Sequence, residues 1–359
     1  MNEIRTVAVV GCGIGRSHIV EGYAPNAGKF RVIAICDLDP VRMNTLADEF
    51  GVERRTTDFD DLLSMDDLDI IDICTPPVAH YPMIMAALRA GKHVICEKPL
   101  VGSLAQIDEV MAEESRSRGR LMPVFQYRFG NGIQQAKAII DAGLAGRPFV
   151  GTVETLWRRE ADYYAVPWRG KWKTELGGVL MGHAIHPHDM FVYLMGPLKS
   201  LFGRVATRVN PIEVEDCISA SVELESGALG SFTAALGSAD EITRIRLAFE
   251  NVTIESDHAP YNPGAAPWKI LPRNDRTRDA IAALLEDWTD VPPRFTTQMA
   301  RFHDALMGRG ALPVTSADSR RALEIVTAFY YSSRTHQEVV FPIGLDHPNY
   351  SSWLPEGIA

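Results

Sequence analysis

Cysteine is scarce in this chain. The five, Cys12, Cys36, Cys74, Cys96 and Cys217, are an odd number spread over 359 residues, and no two form a C-x-x-C pair. That pattern excludes a disulfide framework and a cysteine-built zinc site. Four of the five stand in or just after short apolar runs, where a thiol behaves as a small hydrophobe. Long apolar runs are missing too: none approaches the roughly 20 residues needed to cross a bilayer. The opening MNEIRTVAVVGCG leads straight into a glycine turn without a small-residue cleavage site, so it does not read as a signal peptide. The expectation is a cytoplasmic protein. Positive charge is in deficit, with 36 Lys and Arg against 46 Asp and Glu, a formal charge of −10. No basic stripe alternates with aromatics and no polybasic cluster occurs, so neither nucleic acid nor a membrane surface is an expected partner.

What is present is a rhythm. Thr6–Val10, Phe30–Cys36, Leu68–Cys74, His93–Cys96 and Leu121–Phe125 are short apolar runs separated by helical stretches. Asp39-Pro40 pairs an N-cap with a proline at the first helical position, Gly51 marks that helix's stop, and Ser103-Leu-Ala-Gln106 has capping-box spacing. Strands apolar throughout and alternating with helices predict a doubly wound parallel sheet over residues 1–125. The rhythm then changes. Pro148–Trp157, Cys217–Leu224, Ala228–Leu236, Thr243–Phe249 and Val252–Glu255 read as strands, with hairpin turns at Glu225-Ser226-Gly227 and Glu250-Asn251. Residues 126–359 are therefore read as an α+β domain with a mainly antiparallel sheet and a long helix over Ser316–Ser333.

Three segments carry chemistry. VVGCGIGRSH follows the first strand, and its turn, Gly11-Cys12-Gly13-Ile14-Gly15, suits a pyrophosphate at a helix N-terminus. The third glycine comes one residue earlier than in G-x-G-x-x-G, and Arg16 holds its usual place. Asp37 ends the second strand, where a carboxylate accepts from an adenosine ribose and repels a 2′-phosphate; NAD is the expected cofactor, with Arg16 and Arg42 leaving NADP open. In HVICEKPL, Lys98 stands at a strand's carboxyl end, the ligand side of such sheets, where it can exchange a proton with a hydroxyl. In GGVLMGHAIHPHDM, His183, His186, His188 and Asp189 fall within seven residues.

VVGCGIGRSH, ICD, CTPPVAH, CEKPL, VFQYRF and GGVLMGHAIHPHD together resemble the Gfo/Idh/MocA oxidoreductases, over nearly the whole chain. The resemblance implies an N-terminal Rossmann domain, a C-terminal domain with a large open sheet, and NAD(P)-dependent redox chemistry on a sugar, polyol or cyclitol. It also implies a homodimer or homotetramer formed through that sheet. By motif, Lys98 and His186 take the catalytic positions. Thr75, Pro76, His80, Glu97 and Gln126 join the glycine turn and Asp37 along the cofactor, and Arg128 faces the substrate; His183, ahead of His186 in the same segment, is read as a further substrate contact. The family's first aspartate in the histidine segment falls on Gly182, a departure from the pattern.

Two other readings of that segment remain. In one, the protein binds sugar or cofactor without turnover, as a regulator. In the other, His183, His186 and Asp189, three apart, hold zinc; Pro187 disturbs a helix there and argues against it. His188 would point away from His186 and pack in the core. Trp168-Arg169-Gly170-Lys171-Trp172 places aromatic faces beside cationic donors, and Trp168 and Arg169 are expected to shape the pocket for a hydroxylated ring.

Overall fold

The computed structural model describes residues 3–358. The chain forms two compact units, Met1–Val124 with Phe295–Arg320, and Phe125–Arg294 with Arg321–Ala359.

The first unit is built on a parallel sheet of β1 (Arg5–Val10), β2 (Phe30–Cys36), β3 (Arg54–Thr56), β4 (Ile70–Ile73), β5 (His93–Cys96) and β6 (Leu121–Pro123), in the order β3-β2-β1-β4-β5-β6. Val7–Val10 and all of β4 are almost fully buried, as strands covered on both faces must be. Each such Val or Ile contributes about 1.5–3 kcal/mol by leaving water. The helix stops act as the sequence signals. Asp39 caps the helix Pro40–Phe50 through Val41 N and Arg42 N, Gly51 closes it in the left-handed region at φ +65, and Ser103 Oγ accepts from Gln106 N at 3.1 Å. β3, three residues of RRT, has no apolar signature and is not visible in the sequence.

The second unit carries a mixed sheet: β7 (Pro148–Arg158), β8 (Leu198–Ala206), β9 (Cys217–Leu224), β10 (Leu229–Ala235), β11 (Gly237–Phe249), β12 (Val252–Glu255), β13 (Lys269–Pro272) and β14 (Val339–Val340). Their order is β13-β12-β11-β7-β10-β9-β8-β14, antiparallel except for β7 beside β10. Along β7, Gly151, Val153, Thr155 and Trp157 face inward. The helix Ile185–Met195 lies on that face, and a Cβ on Gly151 would stand 2.5 Å from Phe191 of the helix. Small residues on the strand let the histidine-bearing helix sit close.

The domain boundary read from sequence needs one amendment. Residues 295–320 return to the first unit. Their helix, Phe295–Leu306, packs on the segment His18–Tyr23: Phe295 lies 4.4 Å from the His18 ring, Thr296 Oγ1 donates to Glu21 O, and Asp304 pairs with Lys29. Nothing in the local periodicity of that helix says which sheet it serves.

Candidate active site

The strand order reverses between β1 and β4, and the loops after β1, β2, β4 and β5 bring Gly11, Asp37, Thr75 and Lys98 to the carboxyl edge of one sheet. Ligands of open parallel sheets bind at such an edge. The three glycines divide the work. Gly11, at φ +98, lies against the end of β4: a Cβ there would be 2.6 Å from Cys74 O. A Cβ on Gly15 would be 2.7 Å from Val9 Cγ1, so Gly15 provides the close helix–strand packing although it comes one residue early. The helix it opens becomes π-wound at once, over His18–Tyr23. Around Gly13 a Cβ would meet nothing within 4 Å among the described residues, which leaves its backbone open to a diphosphate. Asp37 Oδ2 accepts from Cys12 N at 2.7 Å and Oδ1 from Asp39 N at 2.9 Å. Each oxygen keeps a second lone pair for a ribose hydroxyl. These residues fit a dinucleotide. Arg16 and Arg42, the residues that kept NADP open, are paired with Glu49 and Asp39.

Thr75 is half-buried and Pro76 exposed, whereas His80 is fully buried. Its Nδ1 lies 2.8 Å from Pro99 O and its Nε2 2.8 Å from Thr75 O, so it braces the β4 loop against the turn that follows Lys98. Both of its ring nitrogens are engaged by backbone carbonyls of the protein.

Beneath Lys98 lies a buried polar chain. Tyr23 OH donates to Asp72 Oδ2 at 2.7 Å; the same oxygen lies 2.9 Å from His18 Nδ1; His18 Nε2 lies 3.1 Å from Glu97 Oε1; and Glu97 Oε2 accepts from Lys98 N at 3.0 Å. Burial alone would lower the pKa of His18, but Asp72 and Cys74 together outweigh it and hold the imidazole well above its ordinary value. Burial would raise Glu97, and His18 with Lys98 instead draws it down. The chain therefore holds Glu97 ionised behind Lys98. Among the described residues, His18, Asp72 and Cys74 also bring metal-type donor atoms within 4.8 Å of one another, but these atoms are spent on hydrogen bonds within the chain.

On the second unit, the histidine segment is π-wound over Leu180–Ala184 and α-helical over Ile185–Met195. Pro187 falls in the first turn of the α-helix, where a missing N–H costs little, and its ring would crowd the carbonyl of His183, in the widened turn. The expected disruption of the helix is thus confined to its start. His183 packs against Trp157 and Tyr163 at 5.0 and 5.7 Å, and His186 against Tyr127 and Phe125 at 4.6 and 6.0 Å. His188 stacks on Phe232 at 4.4 Å, and burial pulls its pKa down to about 3, so it is a neutral core residue.

The zinc reading is set aside here. Asp189 is held by Arg128 in a buried two-pronged pair, Nε to Oδ2 at 2.7 Å and Nη2 to Oδ1 at 2.5 Å, with Tyr193 under the guanidinium. A carboxylate so engaged does not fit the zinc reading with His183 and His186. Arg128, expected to face substrate, braces the histidine helix through this pair. Gln126 is also buried, and its Oε1 has no hydrogen-bond partner among the described residues.

Trp168 and Arg169 belong to an aromatic–cation stack. The Arg169 guanidinium lies 4.0 Å from the Tyr163 ring and 4.3 Å from Trp168, donates to Tyr163 OH, and pairs with Glu175 Oε1 at 3.2 Å. Glu175, buried, also accepts from Gly170 N at 2.6 Å. A second buried carboxylate, Glu215, holds the start of the histidine segment: it accepts from Gly178 N, Leu180 N and Tyr330 OH at 2.9, 3.0 and 2.8 Å. Burial pushes its pKa from 4.5 up to about 7 against those bonds. The folded state then keeps the proton longer than the unfolded chain, so stability falls as pH rises between those two values. Glu215→Gln is expected to flatten that part of the pH–stability curve, read by urea midpoints from pH 5 to pH 8.

Residues 5–125 match the Gfo/Idh/MocA oxidoreductase family, NAD-binding Rossmann fold, and residues 133–255 match the family's C-terminal domain. The chain belongs to this family. Among Gfo/Idh/MocA proteins, it is 27% identical to the D-apiose dehydrogenase of Paraburkholderia graminis over 341 residues, covering 92% of this chain and 88% of that one. It is 31% identical to the uncharacterized oxidoreductase YrbE of Bacillus subtilis over 235 residues, 64% of this chain and 66% of that one. The WlbA dehydrogenase of Bordetella pertussis, solved with NADH and UDP-GlcNAcA, superimposes with a TM-score of 0.83 at 25% identity, covering 94% of this chain and 99% of that one. The cofactor is NAD, as the family and this neighbour have it. No helix among the described residues is long and apolar enough to cross a membrane.

Sequence reasoning missed His18, Asp72, Glu175 and Glu215. Asp72 had a signal, a charge between the apolar residues Ile71 and Ile73 of a core strand, which must find a partner when buried. His18 and Glu215 have partners distant in sequence, and Glu175, with Arg169 and Gly170 six and five residues away, lies in a short helical segment that no periodicity signals.

Proposed function

We propose that this oxidoreductase is a dehydrogenase of a sugar, polyol or cyclitol, with Lys98 and His186 handling the proton. The observation that carries the reading is the alignment of Gly13, Asp37 and Lys98 along one sheet edge, with Glu97 buried behind the lysine. Bound NAD supplies the hydride acceptor. Asp37 receives the ribose hydroxyls, and the backbone at Gly13 approaches the diphosphate. Lys98 Nζ takes the proton that leaves the substrate hydroxyl as its carbon becomes a carbonyl. His186, held by Tyr127 and Phe125, fixes that oxygen. The D-apiose dehydrogenase among its relatives supports the substrate class. A regulatory, non-catalytic role has no such support.

The test is NAD reduction by the purified protein across inositols, aldoses, sugar acids and polyols. Turnover on one class supports the reading; cofactor binding without turnover on any of them removes it. Asp37→Ala is expected to narrow the preference for NAD over NADP in kcat/KM by about tenfold, the worth of a charge-assisted hydrogen bond.

A further inference from the structure

The segment His18–Tyr23 is π-wound, and its i→i+5 winding brings residues five apart toward one face, which is how His18 and Tyr23 both reach Asp72. The His18 ring is fully buried and has a carboxylate at each nitrogen, Asp72 Oδ2 at 2.9 Å from Nδ1 and Glu97 Oε1 at 3.1 Å from Nε2. Tyr23 OH donates to Asp72 and the Lys98 N–H donates to Glu97, so both carboxyl groups already act as acceptors. A neutral imidazole has one donor and cannot serve two acceptors; the doubly protonated ring can. Phe295, on the returning helix Phe295–Leu306, packs against the ring at 4.4 Å and brings no charge of its own.

We infer that His18 is a positioning residue for Lys98: held as an imidazolium between Asp72 and Glu97, it offsets the Glu97 carboxylate and so sets the pH at which the lysine takes the substrate's proton. The inference rests on the reading in which Lys98 is the proton acceptor of a dehydrogenase. Glu97 is joined to Lys98 twice, through the backbone N–H and through the attraction of its carboxylate for the ammonium. A buried carboxylate left unbalanced beside a lysine favours the ammonium form and delays its loss of a proton. With His18 charged, that pull is shared. The other titratable groups of the cluster, Cys74 on β4, Cys96 on β5 and Tyr23 on the segment of His18 itself, are uncharged, because burial pushes both thiols and the phenol well up. His80, which also feels Lys98, is kept neutral by burial. The charges that decide the state of Lys98 from below are therefore those of Glu97, His18 and Asp72.

The test compares His18→Gln, Glu97→Gln and the unaltered protein by the pH profile of kcat/KM for substrate oxidation at saturating NAD, with thermal melting alongside. Activity rises with pH as Lys98 loses its proton. His18→Gln removes the positive charge and leaves Glu97 facing the lysine. The rising limb is expected to move up by about one pH unit, which is about a tenfold loss on the limb, recovered at the alkaline plateau. Glu97→Gln removes the negative charge, and the limb is expected to move down by about one unit. Opposite shifts support the inference, because a residue that only holds up the fold lowers the plateau without moving the limb. A limb that stays in place in either variant, or moves the same way in both, overturns it. If neither variant folds, neutron diffraction from the unaltered protein at about pH 8 decides: deuterium on both ring nitrogens of His18 supports the inference, and deuterium on one alone overturns it. Absence of turnover by the unaltered protein overturns the dehydrogenase reading, and this inference with it; turnover without the opposite shifts overturns this inference alone.

Discussion

Lys98→Ala is expected to cut kcat by a factor of about 10² to 10⁴, the range for losing a positioned proton acceptor, while NAD affinity changes only a few-fold. The separation follows from placement. On the proposed reading the glycine turn and Asp37 hold the dinucleotide, whereas Lys98 lies just after β5, half-buried, with its backbone N–H donating to Glu97. Lys98→Arg is the sharper variant. It keeps the positive charge, but a guanidinium does not give up a proton in this pH range. If charge alone mattered, Arg would preserve turnover; if proton transfer matters, Arg fails almost as badly as Ala. Steady-state kinetics alongside NADH fluorescence titration separates the two, and full activity in the arginine variant would remove Lys98 from the chemistry.

The second large effect is on stability. Asp189→Ala leaves the Arg128 guanidinium buried without its two-pronged partner, and breaking a buried pair from one side costs about 3–5 kcal/mol. Removing both charges, as in Arg128→Met with Asp189→Leu, is expected to cost much less, because no lone charge remains in the core. Urea denaturation read by tryptophan fluorescence gives both numbers. Equal losses in the single and double variants would mean that the pair is not what holds this part of the histidine helix.

These two residues show what was legible beforehand and what was not. Lys98 could be read because its neighbours in sequence are its structural context: an apolar strand, a lysine and a proline place it at a sheet edge. The glycine turn and Asp37 are local in the same way. Asp189 could not, since its partner Arg128 lies 61 residues away and only the fold joins them. His80 matched a motif, but the backbone carbonyl that stands against each of its ring nitrogens was not visible in it. The strands with strong apolar runs were visible; β3, β8, β13 and β14 were not. Their residues are short runs or rely on sheet neighbours for burial. The helix Phe295–Leu306 shows the limit most plainly. Its amphipathic face is evident from the sequence, but the choice of the first unit over the second is made by contacts with His18, Glu21 and Lys29.

The central claim is that a hydride leaves a carbinol carbon for NAD while the protein takes the hydroxyl proton. The most direct measurement uses the best substrate of the panel with deuterium on that carbon, following the label by mass spectrometry of the reduced coenzyme. The account predicts one deuterium in NADH per turnover and none washed into water. Label lost to solvent, or NAD left oxidised with every hydroxylated substrate, would contradict it.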